Sequence, residues 1–554
     1  MSGPLRVRWL GRVAYREALD LQRRLCERST ADHLLLLEHD HVFTHGRHAD
    51  LERNLRCDPA DVGAELIAVD RGGDITYHGP GQLTGYPIVS TDGAKGSLDH
   101  VRRVEAVVID ALTSLGIDAG RLDGYPGVWV DPEGLRPRKI AAVGVRIVHG
   151  RSMHGFNLNL ETDMDYLRRH IIACGIDDRP VTSLREEGLD IDMSALVDAV
   201  VAVAGRHFGD GRTERQDVAW RRAPEDLTPF SRGAGPGSTS RLSVRAGSAG
   251  LGEGIAITER KPEWLRPVVR HGEEVLDLRR RLREHDLVTV CEDAGCPNLS
   301  ECWAEGTATF MVLGDRCTRA CGFCLVDTRR PMEPDVGEPS RVAEAVNEMG
   351  LEHAVLTMVA RDDLPDGGLA HVARCVTAIR ERSPGTAVET LISDAAGDDR
   401  SLAHLLAVRP DVLNHNLETV ARLQRVVRPS AGYARSLAVL SRAADAGLVT
   451  KSGIMLGIGE REAEIEGCLA DLASIGVSVV TLGQYLRPTS HHLPVDRWVE
   501  PAEFDHWASV GRAFGIAHLE SSPLTRSSHH AGQAARAVDA VPVSLGSRVA
   551  GTPA

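Results

Sequence analysis

CTRACGFC, residues 317–324, sets Cys317, Cys321 and Cys324 at C-x3-C-x2-C spacing. Three thiols are one short of a closed tetrahedral zinc site and an odd number for disulfides. Three thiolates on one tight loop suit an iron–sulfur cluster that keeps one iron open. An open metal position is how a site takes up a reactant. Just upstream, CEDAGCPNLSEC places Cys291, Cys296 and Cys302 at C-x4-C-x5-C. Two trios at different spacings point to two clusters. A zinc site that mixes them is the alternative. In the other half, RGGDITYHGPGQLTGYP (71–87) is rich in glycine, which lets backbone N–H groups approach a ligand closely. No G-K-[ST] follows it, so a nucleotide P-loop is not expected.

The chain has 554 residues, 42% of them hydrophobic, and a formal net charge of −14. Length and composition suit several globular cores, and the acidity argues against a nucleic-acid-binding face. No apolar run approaches the ~20 residues of a membrane span. The charged N-terminus, MSGPLRVRWLGR, lacks the apolar core of a signal peptide. A reduced, cytoplasmic protein without membrane contact is expected. Six of eleven cysteines fall between Cys291 and Cys324, which in a reducing compartment means metal, redox or nucleophile chemistry.

These residues need elements to hold them. SRGAGPGSTSRLSVRAGSAGLGEG (231–254) reads as a flexible linker, extended to 213–258, spanning roughly 35–40 Å as a coil and leaving the halves free to move. The expected domains are therefore 1–212 and 259–554. In the second, TATFMVL, AVLTMV, AVETLI, VLNHNLE, KSGIMLGI and VVTLGQYL read as strands that alternate with helical patterns. Six such βα units imply a parallel sheet with right-handed crossovers, an α/β partial TIM barrel with its chemistry where strands end. CTRACGFC stands just after the first strand. The first domain mixes strands such as LLLLEHDHVFTHG, ITYH, KIAAVGVRIV and HGFNLNL with helices REALDLQRRLCERS and HVRRVEAVVIDALTSLG. It is α+β with a mixed sheet.

The cysteine loop, with Phe323 before its last cysteine, resembles the radical SAM superfamily. Both trios together resemble the lipoyl synthase family, from KPEWLR (261–266) to RSSHHA (526–531), through RDDLPDGG, NHNLETV, RVVRPSAGY, KSGIMLGIGE and GQYLRPT. The resemblance implies two [4Fe-4S] clusters. One, on Cys317, Cys321 and Cys324, binds S-adenosyl-L-methionine. An auxiliary one, on Cys291, Cys296, Cys302 and Ser528, with Ser527 the second choice, donates two sulfurs to C6 and C8 of an octanoyl chain. A ferredoxin- or flavodoxin-type electron donor is implied. Arg361, Asp362, Asn414, His415, Asn416, Glu460 and Gln484 are expected near strand ends, facing cofactor or substrate. His529 stands where the family usually has another aromatic residue.

RGGDITYHGPGQLTGYP, KIAAVGVRI, HGFNLNL and IIACGI together resemble the octanoyl-carrier-protein:protein octanoyltransferase family, which has the biotin/lipoate protein ligase fold. The resemblance covers residues 5 to 205. It implies transfer of octanoate from octanoyl-acyl carrier protein, through a thioester on Cys174 with Lys139 as partner, to a lysine of a lipoyl domain. The lipoyl domains would be those of 2-oxoacid dehydrogenase E2 subunits and of the glycine cleavage H protein. Acyl and pantetheine contacts are expected from Arg71, Gly72, Gly73, Asp74, Ile75, Thr76, Tyr77 and His78. Others are expected from Ala142, Val143 and Gly144, and from Gly155, Phe156 and Asn157. His78 and His154 are candidate proton shuttles. An ATP-dependent ligase or a non-catalytic presenting module stay open for this half, and a zinc-stabilised domain for the other.

Overall fold

The computed structural model of the chain describes residues 3–47, 49–91, 96–220, 246–247, 249–266, 288–289, 298 and 307–534. Cys291, Cys296, Cys302 and the middle of the expected linker lie outside the described residues. The described chain forms two compact units, each built around an eight-stranded sheet. No helix among the described residues is long and apolar enough to cross a membrane.

The first unit contains β1 (Leu5–Arg12), α1 (Tyr15–Arg28), β2 (His33–Glu38), β3 (Val42–His45), β4 (Glu65–Ala68), β5 (Ile75–His78) and β6 (Gln82–Ile88). It continues with α2 (Ser97–Ser114), β7 (Ala119–Leu122), β8 (Tyr125–Val130), β9 (Arg138–Val148), β10 (Arg151–Asn159), α3 (Met193–Phe208) and β11 (Thr213–Asp217). Only helices of ten residues or more are numbered. The main sheet runs β11-β1-β2-β6-β10-β9-β8-β7, and β4-β3-β5 form a small second sheet. The HLLLLE of β2 is an unbroken apolar run because both its faces are covered. On α1, Ala18, Leu19, Leu25 and Cys26 repeat at helical spacing and turn one face to β6 and β10. Each buried leucine there contributes about 2 kcal/mol. The Asp192 side chain accepts from Ala195 N–H and starts α3.

The linker is shorter than its composition suggests. Thr213–Asp217 is a strand, paired in parallel with β1 from Leu5↔Thr213 to Trp9↔Asp217. TERQD carries no apolar alternation; an edge strand satisfies its backbone on one neighbour and needs none. At the far end Ile255 N–H donates to Val495 carbonyl at 2.6 Å, so this stretch pairs with the second unit.

In the second unit β12 (Val288–Thr289) pairs antiparallel with β13 (Thr307–Val312). Then follow α4 (Glu338–Glu348), β14 (His353–Met358), α5 (Leu369–Arg382), β15 (Ala387–Leu391), α6 (Asp399–Val408), β16 (Val412–Asn414) and, in chain order, α7 (Tyr433–Asp445), of which the part up to Arg442 is counted with the first unit. β17 (Val449–Leu456), α8 (Glu462–Ser474), β18 (Val479–Gln484), α9 (Pro501–Ala513) and β19 (His518–Ser521) complete it. β13 to β19 are parallel and adjacent in chain order. The six expected βα units are present, and the polar HLES closes them with a seventh strand. Cys375 and Cys468 are buried in α5 and α8.

Beneath the strand ends lies a polar layer. Lys451 Nζ is 3.1 and 3.2 Å from the two oxygens of Glu389, Asn414 Nδ2 donates to Glu389 at 3.0 Å, and His353 Nε2 is 3.6 Å away. Burial pushes the Glu389 carboxyl up, but Lys451, His353 and Asn414 outweigh it and hold it at about 2. A buried carboxylate persists here because a buried ammonium faces it.

Candidate active sites

In the first unit a cavity of about 90 Å³ gathers residues scattered over the sequence. Arg71, Gly72, Gly73, Asp74, Thr76 and His78 line it from the glycine-rich stretch, Ala142, Val143 and Gly144 from β9, and Gly155, Phe156 and Asn157 from β10. Lys139 and Cys174 line the same space. Ile75 and Tyr77, expected among the contacts, belong instead to an apolar core with Phe43, Ile171 and Ala173. They share β5 with Thr76 and His78, and neighbours on a strand face opposite ways.

Cys174 sits on a short turn, Ala173–Gly175, with φ 57° and ψ 22°. A non-glycine residue in this left-handed region is strained, by about 1–3 kcal/mol, and must be held by its surroundings. They are visible: Ile172 N–H donates to Asn54 carbonyl, Asn54 Nδ2 donates to Asp74 Oδ2 at 2.7 Å, and Ile171 and Ala173 anchor the turn in the core. The thiol is half-buried and unpaired with any other cysteine.

Lys139 reaches the cavity from β9. Gly127, at φ 108°, makes room: a Cβ there would stand 2.8 Å from Lys139 Cε and 2.5 Å from Ala141 carbonyl oxygen. Lys139 Nζ lies over the Trp129 ring at 5.8 Å, and among the described residues no carboxylate pairs with it. Arg71 is buried too, donating to Thr44 carbonyl at 2.8 Å, Thr44 Oγ1 at 3.1 Å and Gly72 carbonyl at 3.0 Å.

The two histidines are not acids. Burial, then His39 and Arg71, holds His78 well below the usual imidazole range, while its Nδ1 meets Gln82 Oε1 at 3.0 Å. Burial, then Arg71, Arg146 and Arg23, lowers His154 to about 3. Its neutral ring donates from Nε2 to Asp70 at 3.1 Å. Tyr86, from the glycine-rich stretch, lines the cavity too, and so do Tyr15 and Pro126, outside the motifs singled out in the sequence. Burial drives the Tyr15 hydroxyl up to about 12, so it stays a neutral donor.

The second unit has a larger cavity, about 310 Å³, at the C-terminal ends of its strands. Phe323 and Cys324 reach it from the cysteine loop, and Ser527 and Ser528 from the R-S-S turn. Alternate residues of the strands form its floor: Thr309 and Met311, Thr357, Leu391, Gly453 and Met455, Thr481 and Gly483. Thr309, Met311, Thr357, Leu391 and Thr481 lie outside the family motifs quoted from the sequence, and the pleat of their strands was the signal for them. The cysteine loop is fixed by its backbone. Cys317 N–H donates to Asp327 carbonyl at 2.8 Å, Leu493 N–H to Gly322 carbonyl at 2.9 Å, and His492 Nε2 meets Cys324 carbonyl at 2.9 Å. Burial pushes the Cys324 thiol up to about 12, with Cys317 and Glu418 adding to it. Such a thiol becomes a ligand when a cation offsets its charge. Three cysteines without disulfides on a loop open to a roomy cavity fit a cluster with one free iron.

The strand-end polar residues divide. Asn416 and Gln484 line the cavity. Asn414 is spent on Glu389, and His415 Nδ1 on Ile392 carbonyl at 2.9 Å. Arg361 pairs with Asp363, and Asp362 with Arg319. Glu460 accepts the N–H groups of Gly457, Ile458 and Gly459 and shapes the turn after β17.

Comparison with known proteins gives two family matches. Residues 14–204 match the lipoyl protein ligase A/B catalytic domain, and residues 311–472 the radical SAM superfamily. The chain is 50% identical over 273 residues to a lipoyl synthase of Rubrobacter xylanophilus, covering 49% of this chain and 85% of that protein. It is 49% identical over 317 residues to one of Methylococcus capsulatus, covering 57% and 96%. Among solved structures, a bipartite lipoate protein ligase from Thermoplasma acidophilum, solved in work on an archaeal lipoylation system and its E2 lipoyl domain, is similar at 19% identity. Its TM-score is 0.33, with 39% of this chain and 88% of that one covered.

Proposed function

We propose, from the premise that this chain belongs to the lipoyl synthase family through its C-terminal half and carries a lipoyl protein ligase A/B catalytic domain in its N-terminal half, that one polypeptide performs two consecutive steps of protein lipoylation. The first moves octanoate from octanoyl-acyl carrier protein to a lysine of a lipoyl domain. The second inserts sulfur at C6 and C8 of that octanoyl chain. The observation that carries the reading is convergence: Cys174 and Lys139 share one cavity, and Cys324 and Ser528 share another.

In the first cavity Cys174 thiolate attacks the carrier's thioester carbonyl and expels the carrier thiolate, which takes a proton from the Lys139 ammonium. The lipoyl-domain amine then attacks the Cys174 thioester. Neutral Lys139 accepts the amine's proton, an amide forms and Cys174 leaves as thiolate. Every proton is accounted for by one lysine, consistent with two histidines held neutral by burial.

In the second unit Cys317, Cys321 and Cys324 would hold one [4Fe-4S] cluster and Cys291, Cys296, Cys302 and Ser528 another; with S-adenosyl-L-methionine they supply radical generation and sulfur respectively. The chain's own part is to enclose the octanoyl chain. Met311, Leu391, Ile454 and Met455 give the cavity an apolar wall, and Thr309, Thr357 and Thr481 give it hydroxyls. A methylene chain there is kept from water.

The test is anaerobic incubation of full-length protein with octanoyl carrier protein, apo lipoyl domain, S-adenosyl-L-methionine and reductant, without ATP, followed by mass spectrometry. Octanoyl-lysine followed by lipoyl-lysine is expected. Transfer only in the presence of ATP would refute the thioester route.

A further inference from the structure

The end of β19 and the residues just after Ser528 bring a carboxylate and two imidazoles to one point. Glu520, His529 and His530 each offer one ligand atom, and these atoms lie within 4.8 Å of one another. Glu520 and His530 are half-buried and His529 is buried. His530 Nδ1 is 3.2 Å from Glu520 Oε1. The two imidazole rings stack with centroids 3.7 Å apart, closer than aromatic pairs usually settle. His530 holds this place with φ 51°, the left-handed backbone that side chains other than glycine avoid. One histidine would suffice to hydrogen-bond Glu520. Three ligand atoms from two separate segments, all within 4.8 Å of one another, make a donor set that one cation can share.

We propose that Glu520, His529 and His530 form a binding site for a zinc-class divalent cation. Two neutral imidazoles and one carboxylate are borderline ligands that suit Zn²⁺ and leave a fourth position for water. Among the described residues no thiolate joins this group. His518 Nε2 stands 3.6 Å from the other carboxylate oxygen, Glu520 Oε2. A cation here ties β19 to the segment that carries Ser528, and so sets the edge of the larger cavity. The inference stands on this geometry and does not depend on the reaction proposed above.

Full-length protein with reconstituted clusters is equilibrated with zinc sulfate and desalted. Zinc, iron and sulfide are then measured, and zinc-edge X-ray absorption is recorded. Wild type is expected to keep about one zinc per chain more than the Glu520→Gln, His530→Gln double variant, at equal iron and sulfide, with nitrogen and oxygen scatterers near ~2.0–2.1 Å. Equal zinc in both proteins, or a shell made only of sulfur near ~2.3 Å, overturns the proposal. His529→Tyr removes one ligand and keeps an aromatic ring, and serves if the double variant folds poorly. It should weaken zinc roughly ten-fold or more. Unchanged zinc affinity in that variant likewise overturns it.

Discussion

Asn416 Nδ2 donates to Ser527 Oγ at 2.6 Å, joining the chain just past β16 to the R-S-S turn 111 residues later. The same Nδ2 reaches Glu418 Oε1 at 3.0 Å. Ser527 is therefore engaged, whereas Ser528 Oγ makes no hydrogen bond among the described residues and faces the same cavity. A ligand hydroxyl must be free to meet its metal. Ser528→Ala is expected to abolish sulfur insertion and lower bound iron and sulfide by one cluster's share. Ser527→Ala should keep both clusters and slow sulfur insertion by roughly ten-fold. Iron and sulfide analysis with lipoyl-domain mass spectrometry separates the two, and iron lost only in Ser527→Ala would reverse the assignment.

Lys139→Ala removes the proton donor from the first cavity. Octanoyl transfer should fall by roughly 10²–10⁴-fold, since that is what a positioned acid–base group contributes. Cys174→Ala should abolish transfer. Both variants should convert a pre-octanoylated lipoyl domain at the wild-type rate, because the sulfur-insertion residues belong to the other unit. An unimpaired transfer rate in Cys174→Ala would remove the thioester.

Gly127→Ala is a sharper probe of the same lysine. The new methyl would press on Lys139 Cε and on Ala141 carbonyl oxygen, in a backbone conformation reserved for glycine. A stability loss of about 1–3 kcal/mol is expected. Transfer should fall further than thermal unfolding alone explains. Wild-type transfer in a folded variant would show that the lysine's placement does not matter.

Lys451→Met leaves Glu389 buried without its ammonium. Breaking such a pair costs about 3–5 kcal/mol. The pH dependence has a definite sign. Glu389 is held at about 2, below the unfolded carboxyl, so its stabilisation is complete above the unfolded value and is lost as pH falls towards 2. In Lys451→Met the carboxyl, buried without its cation, escapes its penalty by protonating above the unfolded value, so the stability gap to wild type should narrow as pH falls from 7 to 4. Denaturant melts at pH 7 and pH 4 measure this. A gap that widens on acidification would contradict the pairing.

Much of this was legible because the relevant chemistry is local in sequence. C-x3-C-x2-C is a loop property, and helix–strand alternation is a periodicity, so the cysteine site and six βα units needed no coordinates. The same holds for the start of the glycine-rich stretch, where Arg71, Gly72, Gly73, Asp74, Thr76 and His78 line the first cavity. What was lost were elements with no local mark. TERQD and HLES became edge strands although both are polar, because pairing with β1 and β18 satisfies their backbones. Ile75 and Tyr77 were misread because a motif names consecutive residues, while a strand turns every second one away.

The sequence alone thus carried the two family resemblances and the strand–helix alternation of the second half, since residue type, spacing and periodicity hold those facts. Tertiary structure decided which groups meet. It put Lys139 and Cys174 on one cavity, with Gly127 leaving room for the lysine. It tied Ser527 to Asn416 while leaving Ser528 to the cavity, and it brought Glu520 to two histidines. Such meetings depend on how sheets stack residues far apart in the chain, and no spacing along the chain encodes a distance across a fold.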